Sequence, residues 1–417
     1  MTKIRFRPML YITIFNILSF FMLFLFYEGK DTSLLFTGLI LAFINILVYV
    51  ILYYFNFGDI YLFLTVSMLV SVGLVMQYRI DVISANKQLL WFMVGIGAYL
   101  ITTVIFGKLH FWSRLKYLYM AIVVLLLVLT AVFGKEINGS KNWIFIKGIS
   151  IQPSEIIKLF FCLTIACFYS KLPQNSKKDK RQRILGIPTD EIALCVFVYF
   201  CMGALAIVQR EWGTAMLLFL VYFSMCSIYK TNHLLKLINI GGIVIAAFLG
   251  YFILADHIGV RIEIWKNPWA DPLGKGYQVV QSLIAIVSGG YFGVGLGLGS
   301  PHLIPFAQSD FIFASICEEM GIFMGIAVIL LYFLLTYRGV KTAMKCENEF
   351  LKAACMALVL CFGYQTFIIV GGVIKLIPLT GITLPFVSYG GSSMISSFII
   401  LGVITAFSFA ENKSSKD

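Results

Sequence analysis

SGGYFGVGLGLGSPHLIPFAQSDFIFASICEEMG, residues Ser288 to Gly321, joins a glycine-rich polar loop to an apolar helical run and sets a carboxylate, Asp310, at the join. An acid at the first turn of a membrane helix is favoured by the helix dipole, can serve as the cap, and stays ionised near neutral pH unless desolvation raises its pKa. Two readings of Asp310 follow: an ordinary N-cap, and a functional carboxylate at a membrane surface. Further on, Glu318 and Glu319 interrupt the apolar run, with Glu318 about 12 Å deeper along the axis. Two adjacent acids at that depth must find partners or take up protons, which marks a buried network or an interior cavity.

The remainder of the chain explains why such a run crosses lipid. Sixty per cent of the 417 residues are apolar and 12% are charged, a composition in which lipid is the solvent for most of the chain. After the basic residues Lys3, Arg5 and Arg7, runs long enough to cross a bilayer occupy about 9–26, 34–55, 60–77, 89–106, 117–134, 155–170, 191–208, 213–229, 236–254, 309–336, 350–374 and 391–410. They predict an all-α polytopic membrane protein of about twelve spans. The first run lacks the small-residue cleavage site of a signal peptide and is read as a retained span. The net charge of +12 resides in short loops between apolar runs, as membrane orientation requires, so no nucleic-acid role is assigned. The nine cysteines read as small buried hydrophobes without a disulfide framework, and the four histidines lack ligand spacing.

The positive-inside rule places Lys108, Arg114 and Lys116, and then Lys177, Lys178, Lys180 and Arg181, in cytoplasmic loops, with both termini cytoplasmic. Three segments then fall outside: Gly134–Ser154, the connection Ala255–Ser309, and Ile377–Ser393. Loops of such length and composition are usually functional. In the first, the turn Asn138-Gly139-Ser140 precedes Trp143, and Gln152-Pro153-Ser154-Glu155 enters a helix with Ser154 as its predicted N-cap. Glu155 and Lys158 share one helical face, so they read either as a structural ion pair or as a positive lining for an anionic substrate. The second carries Arg261, Trp265, Lys266 and Trp269, a mixture suited to headgroups or sugar, and then a short re-entrant or interfacial helix over Val279–Val287. The glycines 290–299 give the backbone freedom to turn without any dinucleotide-binding context. The third ends in Tyr389-Gly390-Gly391-Ser392-Ser393, a turn and cap that can also offer backbone N–H groups to a phosphate.

The order and spacing of these motifs resemble the SEDS family (shape, elongation, division and sporulation), which includes RodA, FtsW and SpoVE. The resemblance runs from about Leu62 to the C-terminus through Asn142-Trp143-Ile144, IQPSEIIK, Gly213-Thr214-Ala215, GYQ with QSLIAIVSGG, SDFIFASICEEMG and IPLTGITLPFVSYGGSS. It implies a ten-helix core over 58–410 with a large extracytoplasmic loop at 255–309, two added spans within 1–57, and a cytoplasmic tail at 411–417. Three positions depart from the family pattern. Glu211 stands for a customary aspartate, Ile369 for an asparagine, and Lys375 for a common glycine.

What the resemblance implies is a peptidoglycan glycosyltransferase that polymerises lipid II into β-linked glycan at the outer face of the bacterial cytoplasmic membrane, in elongation, division or sporulation. Asp310 maps onto the essential aspartate and is the expected general base. Trp143, Glu155, Lys158, Arg210, Arg261, Gln278 and Ser388 form the expected substrate-binding set, with Lys158, Arg210 and Arg261 facing the departing pyrophosphate. No metal ligands are assigned, and a divalent cation, magnesium or manganese, stays open. Expected partners are lipid II, membrane lipids and a class B penicillin-binding protein. A lipid flippase and a membrane scaffold for a transpeptidase are the alternatives.

Overall fold

A computed structural model describes residues 6–26, 32–109, 111–137, 139–146, 148–170, 182–184, 187–229, 231–253 and 259–414. Lys3, Arg5, Asn138, Lys177, Lys178, Lys180, Arg181 and the first residues of the 255–309 connection lie outside them. The described residues are mostly helical. In chain order the helices are α1 (Arg7–Phe26), α2 (Ser33–Tyr54), α3 (Ile60–Ile80), α4 (Val82–Lys108), α5 (Lys116–Phe133), α6 (Pro153–Tyr169), α7 (Thr189–Gly203) and α8 (Trp212–Ile228). There follow α9 (His233–Ile253), two short helices, α10 (Val260–Lys266) and α11 (Tyr277–Gly289), and then α12 (Ile312–Lys345), α13 (Glu349–Val373) and α14 (Gly391–Ser414). All but α10 and α11 coincide with the apolar runs. Nine helices among the described residues are long and apolar enough to cross a membrane, and the chain is a polytopic α-helical membrane protein.

The two ends of the bundle differ in chemistry. At one end, Asp59 accepts from Arg338 Nε and Nη2 at 2.7 and 2.9 Å, and the rings of Phe57 and Phe409 meet at 5.7 Å. Lys108, Arg114 and Lys116 belong to this basic end. The other end carries the long loops. Here a small antiparallel sheet, absent from the sequence reading, forms from β1 (Lys135–Ile137), β2 (Ser140–Ile146) and β3 (Ile149–Ile151). It rests on the entrance to α8 through Lys141 N–H to the Gln209 carbonyl at 2.9 Å and Ser140 Oγ to the Arg210 carbonyl at 3.0 Å. Separately, β4 (Arg183–Ile184) pairs antiparallel with β5 (Ile187–Pro188). α3, α13 and α14 lie at the centre of the bundle, whereas α1 and α2 pair with each other and lean on α3.

Glu318 and Glu319 prove to be the clasp of the glycine-rich loop. Glu318 accepts from Ser300 N–H at 3.0 Å and Glu319 from Gly297 N–H at 2.9 Å. The other Glu319 oxygen lies 2.8 Å from Arg79 Nε, and Arg79 also donates to the Gly299 carbonyl at 2.8 Å. The loop runs antiparallel to a break in α12 at Gly321, where φ is +82° and an added Cβ would lie 2.4 Å from the Tyr291 carbonyl. Only glycine fits such a position. Two acids at membrane depth thus find a cation and backbone donors, as buried charges must.

Candidate active site

Asp310 is not a helix cap. α12 begins at Ile312 with Phe311 in the capping position and no side-chain cap bond. The Asp310 carboxylate instead lines a cavity of about 330 Å³ with Arg261, Lys275, Gln278 and Lys375. Its loop is stitched to the Ile377–Ser393 segment. Ser388 Oγ donates to the Ser309 carbonyl at 2.6 Å and accepts from Leu384 N–H at 3.0 Å, while Tyr389 N–H donates to the Gln308 carbonyl at 2.8 Å. Gln88 fixes that segment in turn, donating to the Ser388 carbonyl at 3.1 Å and accepting from Gly390 N–H at 3.1 Å. Gln77 donates to the Val387 carbonyl at 2.7 Å.

Across the cavity, Arg261 on α10 donates from Nη1 to the carbonyls of Leu379 and Thr380, both at 3.3 Å. Gly381, the next residue, faces the carboxylate: a Cβ added there would lie 3.9 Å from Asp310 Oδ2, at ordinary contact distance. Burial pushes the Asp310 carboxyl up to about 6, against the opposing pulls of the Ser309 hydroxyl and the Arg261 guanidinium. At neutral pH such a group is mostly ionised yet far more basic than an exposed aspartate, which is the balance a general base requires. Burial also lowers the Arg261 pKa while Asp310 raises it, and an arginine stays charged throughout.

The other expected residues occupy two neighbouring regions. Glu155 and Lys158 form a buried ion pair at 2.7 Å, completed by Ser396 Oγ on Glu155 at 2.9 Å and by Lys158 Nζ to Gln365 Oε1 at 2.9 Å. Gln365 Nε2 then donates to the Thr383 carbonyl at 2.8 Å, so this network supports the far side of the segment that faces Asp310. Ser154 is not the cap of α6. Its hydroxyl donates to Glu211 Oε1 at 2.8 Å, which also accepts from Gln152 at 3.0 Å and Thr214 at 2.5 Å. Trp143 and Arg210 lie at the sheet, where Trp143 is half-buried opposite Lys135 and the exposed Arg210 guanidinium stands 3.3 Å from Glu136. Neither lines the Asp310 cavity.

Lys275, Lys375, Gln77, Gln88 and Arg79 escape a motif reading. Gln77 announces itself only as a polar residue at the end of an apolar run, Gln88 only as one of the polar residues just before the next, and Lys375 only as a departure from a customary glycine. With one carboxylate among several cations, the lining does not resemble a protein-held divalent metal site, which wants clustered oxygen ligands. Among the described residues no group of three His, Cys, Asp or Glu side chains is placed to hold a metal ion.

A helical membrane bundle whose loops enclose one carboxylate in a cationic cavity defines a polytopic protein with a polar site at one membrane face. The family model described as cell cycle protein, that of FtsW, RodA and SpoVE, matches residues 45–413. The chain belongs to this family. The peptidoglycan glycosyltransferase RodA of Mycobacterium tuberculosis is 34% identical over 361 residues, covering 82% of this chain and 76% of the relative. Stage V sporulation protein E of Bacillus subtilis is 32% identical, with 83% and 95% covered. The probable peptidoglycan glycosyltransferase FtsW of the same organism is also 32% identical, with 86% and 93% covered. Among solved structures, a chain from a peptidoglycan synthase complex that coordinates polymerization and crosslinking superposes with a TM-score of 0.67 at 22% identity, covering 86% of this chain and 99% of that one. RodA of Thermus thermophilus superposes at 0.60 and 23%, with 84% and 96% covered. These two likenesses establish the shared fold.

Proposed function

We propose that the chain is a peptidoglycan glycosyltransferase that polymerises lipid II into β-1,4 glycan for the bacterial cell wall. The observation that carries this reading is the Asp310 carboxylate, raised to about 6 by burial, facing Arg261 across a cavity open to a polar ligand. Asp310 takes the proton from the acceptor sugar hydroxyl as that oxygen attacks the anomeric carbon of the donor. Arg261, with Lys275 at the rim, faces the departing diphosphate and stabilises its growing charge. Attack opposite the leaving group inverts the anomeric carbon. Gln278 is placed to hydrogen-bond a sugar, and Ser388 positions Asp310 through Ser309. Lys158 and Glu155 act from behind, holding the Ile377–Ser393 segment through Gln365.

Orientation follows from the chemistry of the two ends. The end with Lys108, Arg114, Lys116 and Arg338 is cytoplasmic by the positive-inside rule, which puts the Asp310 end outside and both termini in the cytoplasm. Phe26, at the end of α1, approaches Gly297 of the glycine-rich loop, which supports placing the start of α1 at the opposite, basic end. The relative in a complex that couples polymerization to crosslinking supports a transpeptidase of the penicillin-binding class as partner.

Purified chain supplied with lipid II, with and without such a transpeptidase, tests the reading. Glycan formation is expected and its loss in Asp310→Ala completes the case. Translocation of lipid II into sealed vesicles without polymer would instead make the protein a flippase, and full cellular function of Asp310→Ala would make it a scaffold.

A further inference from the structure

We propose that Lys375 is a diphosphate-binding residue of the Asp310 cavity, a cation that this chain places where the backbone would best accommodate glycine. The inference deepens the reading above and rests on it. α13 ends in a tight turn, with Lys375 N–H donating to the Gly372 carbonyl at 3.2 Å and Leu376 N–H to the Gly371 carbonyl at 2.7 Å. Lys375 takes φ of +62° there. That left-handed position after a helix is ordinarily filled by glycine, because a Cβ crowds the neighbouring carbonyl. A lysine is therefore a local strain, and its side chain is the feature that glycine lacks.

Lys375 belongs to the lining of the cavity that holds Asp310. Lys375 is half-buried and lines it with Arg261 and Lys275. Three cations against the single carboxylate leave the lining at three minus one, or +2, suited to a group with at least two negative charges. Linked phosphates meet that condition, whereas a phosphodiester headgroup carries one charge. Lys375 Nζ donates to the Lys266 carbonyl at 3.3 Å, which takes one of the three donors an ammonium carries. The turn is also braced where it must be: Trp265 Nε1 donates to the Lys375 carbonyl at 3.2 Å. α10 and the end of α13 thus hold Arg261 and Lys375 in a common frame, one cation from each, around the same space.

The test compares wild type with Lys375→Gly and Lys375→Arg in the full-length detergent-purified chain. Melting temperature, calorimetric titration with inorganic pyrophosphate and with phosphatidylglycerol, and KM for lipid II are measured. Lys375→Gly should melt at the same or a higher temperature, bind pyrophosphate about tenfold more weakly and raise KM about tenfold, the loss of one charge-assisted contact. Lys375→Arg should stay within about threefold of wild type. Unchanged pyrophosphate affinity and KM in Lys375→Gly would overturn the proposal and leave Lys375 a brace for α10. A lower melting temperature would contradict the strained-turn premise, and a loss confined to phosphatidylglycerol would assign the lysine to a lipid headgroup. If wild type made no glycan, the glycosyltransferase reading would fail by itself, and the pyrophosphate titration would still decide Lys375.

Discussion

Replacing Asp310 with asparagine should make the protein more stable and inactive at once, and both effects should depend on pH. An ordinary aspartate titrates at 3.8, and burial carries Asp310 to about 6. At about 1.4 kcal/mol per decade of proton affinity, keeping the charged form in the fold costs on the order of 3 kcal/mol. The sign is that of a raised acid: the folded state binds the proton more tightly, so no cost exists below pH 3.8, and the cost grows until pH exceeds about 6. Asparagine never ionises and escapes it. The value of about 6 already contains the attraction of Arg261, so the expected gain at high pH stays on the order of 3 kcal/mol. Thermal melts in nanodiscs at pH 4.5 and pH 8 should therefore show a melting temperature only slightly higher for Asp310→Asn at the acid end, where about a third of the cost is present, and a clearly higher one at the alkaline end. In wild type, kcat/KM should fall about tenfold per pH unit below pH 6, with no such limb in the residual activity of the variant. A variant that melts lower than wild type at pH 8, or that polymerises normally, would refute the role of a desolvated base.

Removing one partner of the Glu155–Lys158 pair, as in Lys158→Met, should cost about 3–5 kcal/mol because the remaining charge is left buried; the double variant Glu155→Gln/Lys158→Met should recover part of that loss, read by the same melts. Ser388→Ala removes the 2.6 Å bond to the Ser309 carbonyl and should lower kcat roughly tenfold while KM for lipid II and the pH limb stay unchanged, since the residue acts on the position of Asp310 and not on its charge.

The spans were legible because a run of about 20 apolar residues has no other stable solution in lipid, and the Glu155–Lys158 pair because residues three apart share a helical face. The small sheet was not. β1 and β3 have three residues each, too short for alternation to register against the turn residues around them, and the sheet is held from outside through Ser140 and Lys141 of β2, which donate to the Arg210 and Gln209 carbonyls. Arg210 misled for a related reason: its backbone takes φ of +54°, and the guanidinium meets Glu136 on the sheet. The capping readings of Asp310 and Ser154 failed because each helix starts without a side-chain cap: the Ser154 hydroxyl went to Glu211 and the Asp310 carboxylate to the cavity lining, which no local spacing reveals.

Glu318 and Glu319 bear on the chemistry by where their charge goes. Had either reached the cavity, Asp310 would have had a second carboxylate beside it, and a pair about 5 Å apart is what a double displacement through a glycosyl-enzyme intermediate requires. Both acids are instead bound to the glycine-rich loop and Arg79, and Asp310 is the single acid lining the cavity. A diphosphate leaving group departs already ionised and needs no general acid, only cations. On the proposed reading, one base with cations around it suffices for a one-step inverting transfer, from which the clasp at Gly321 would exclude the competing carboxylates.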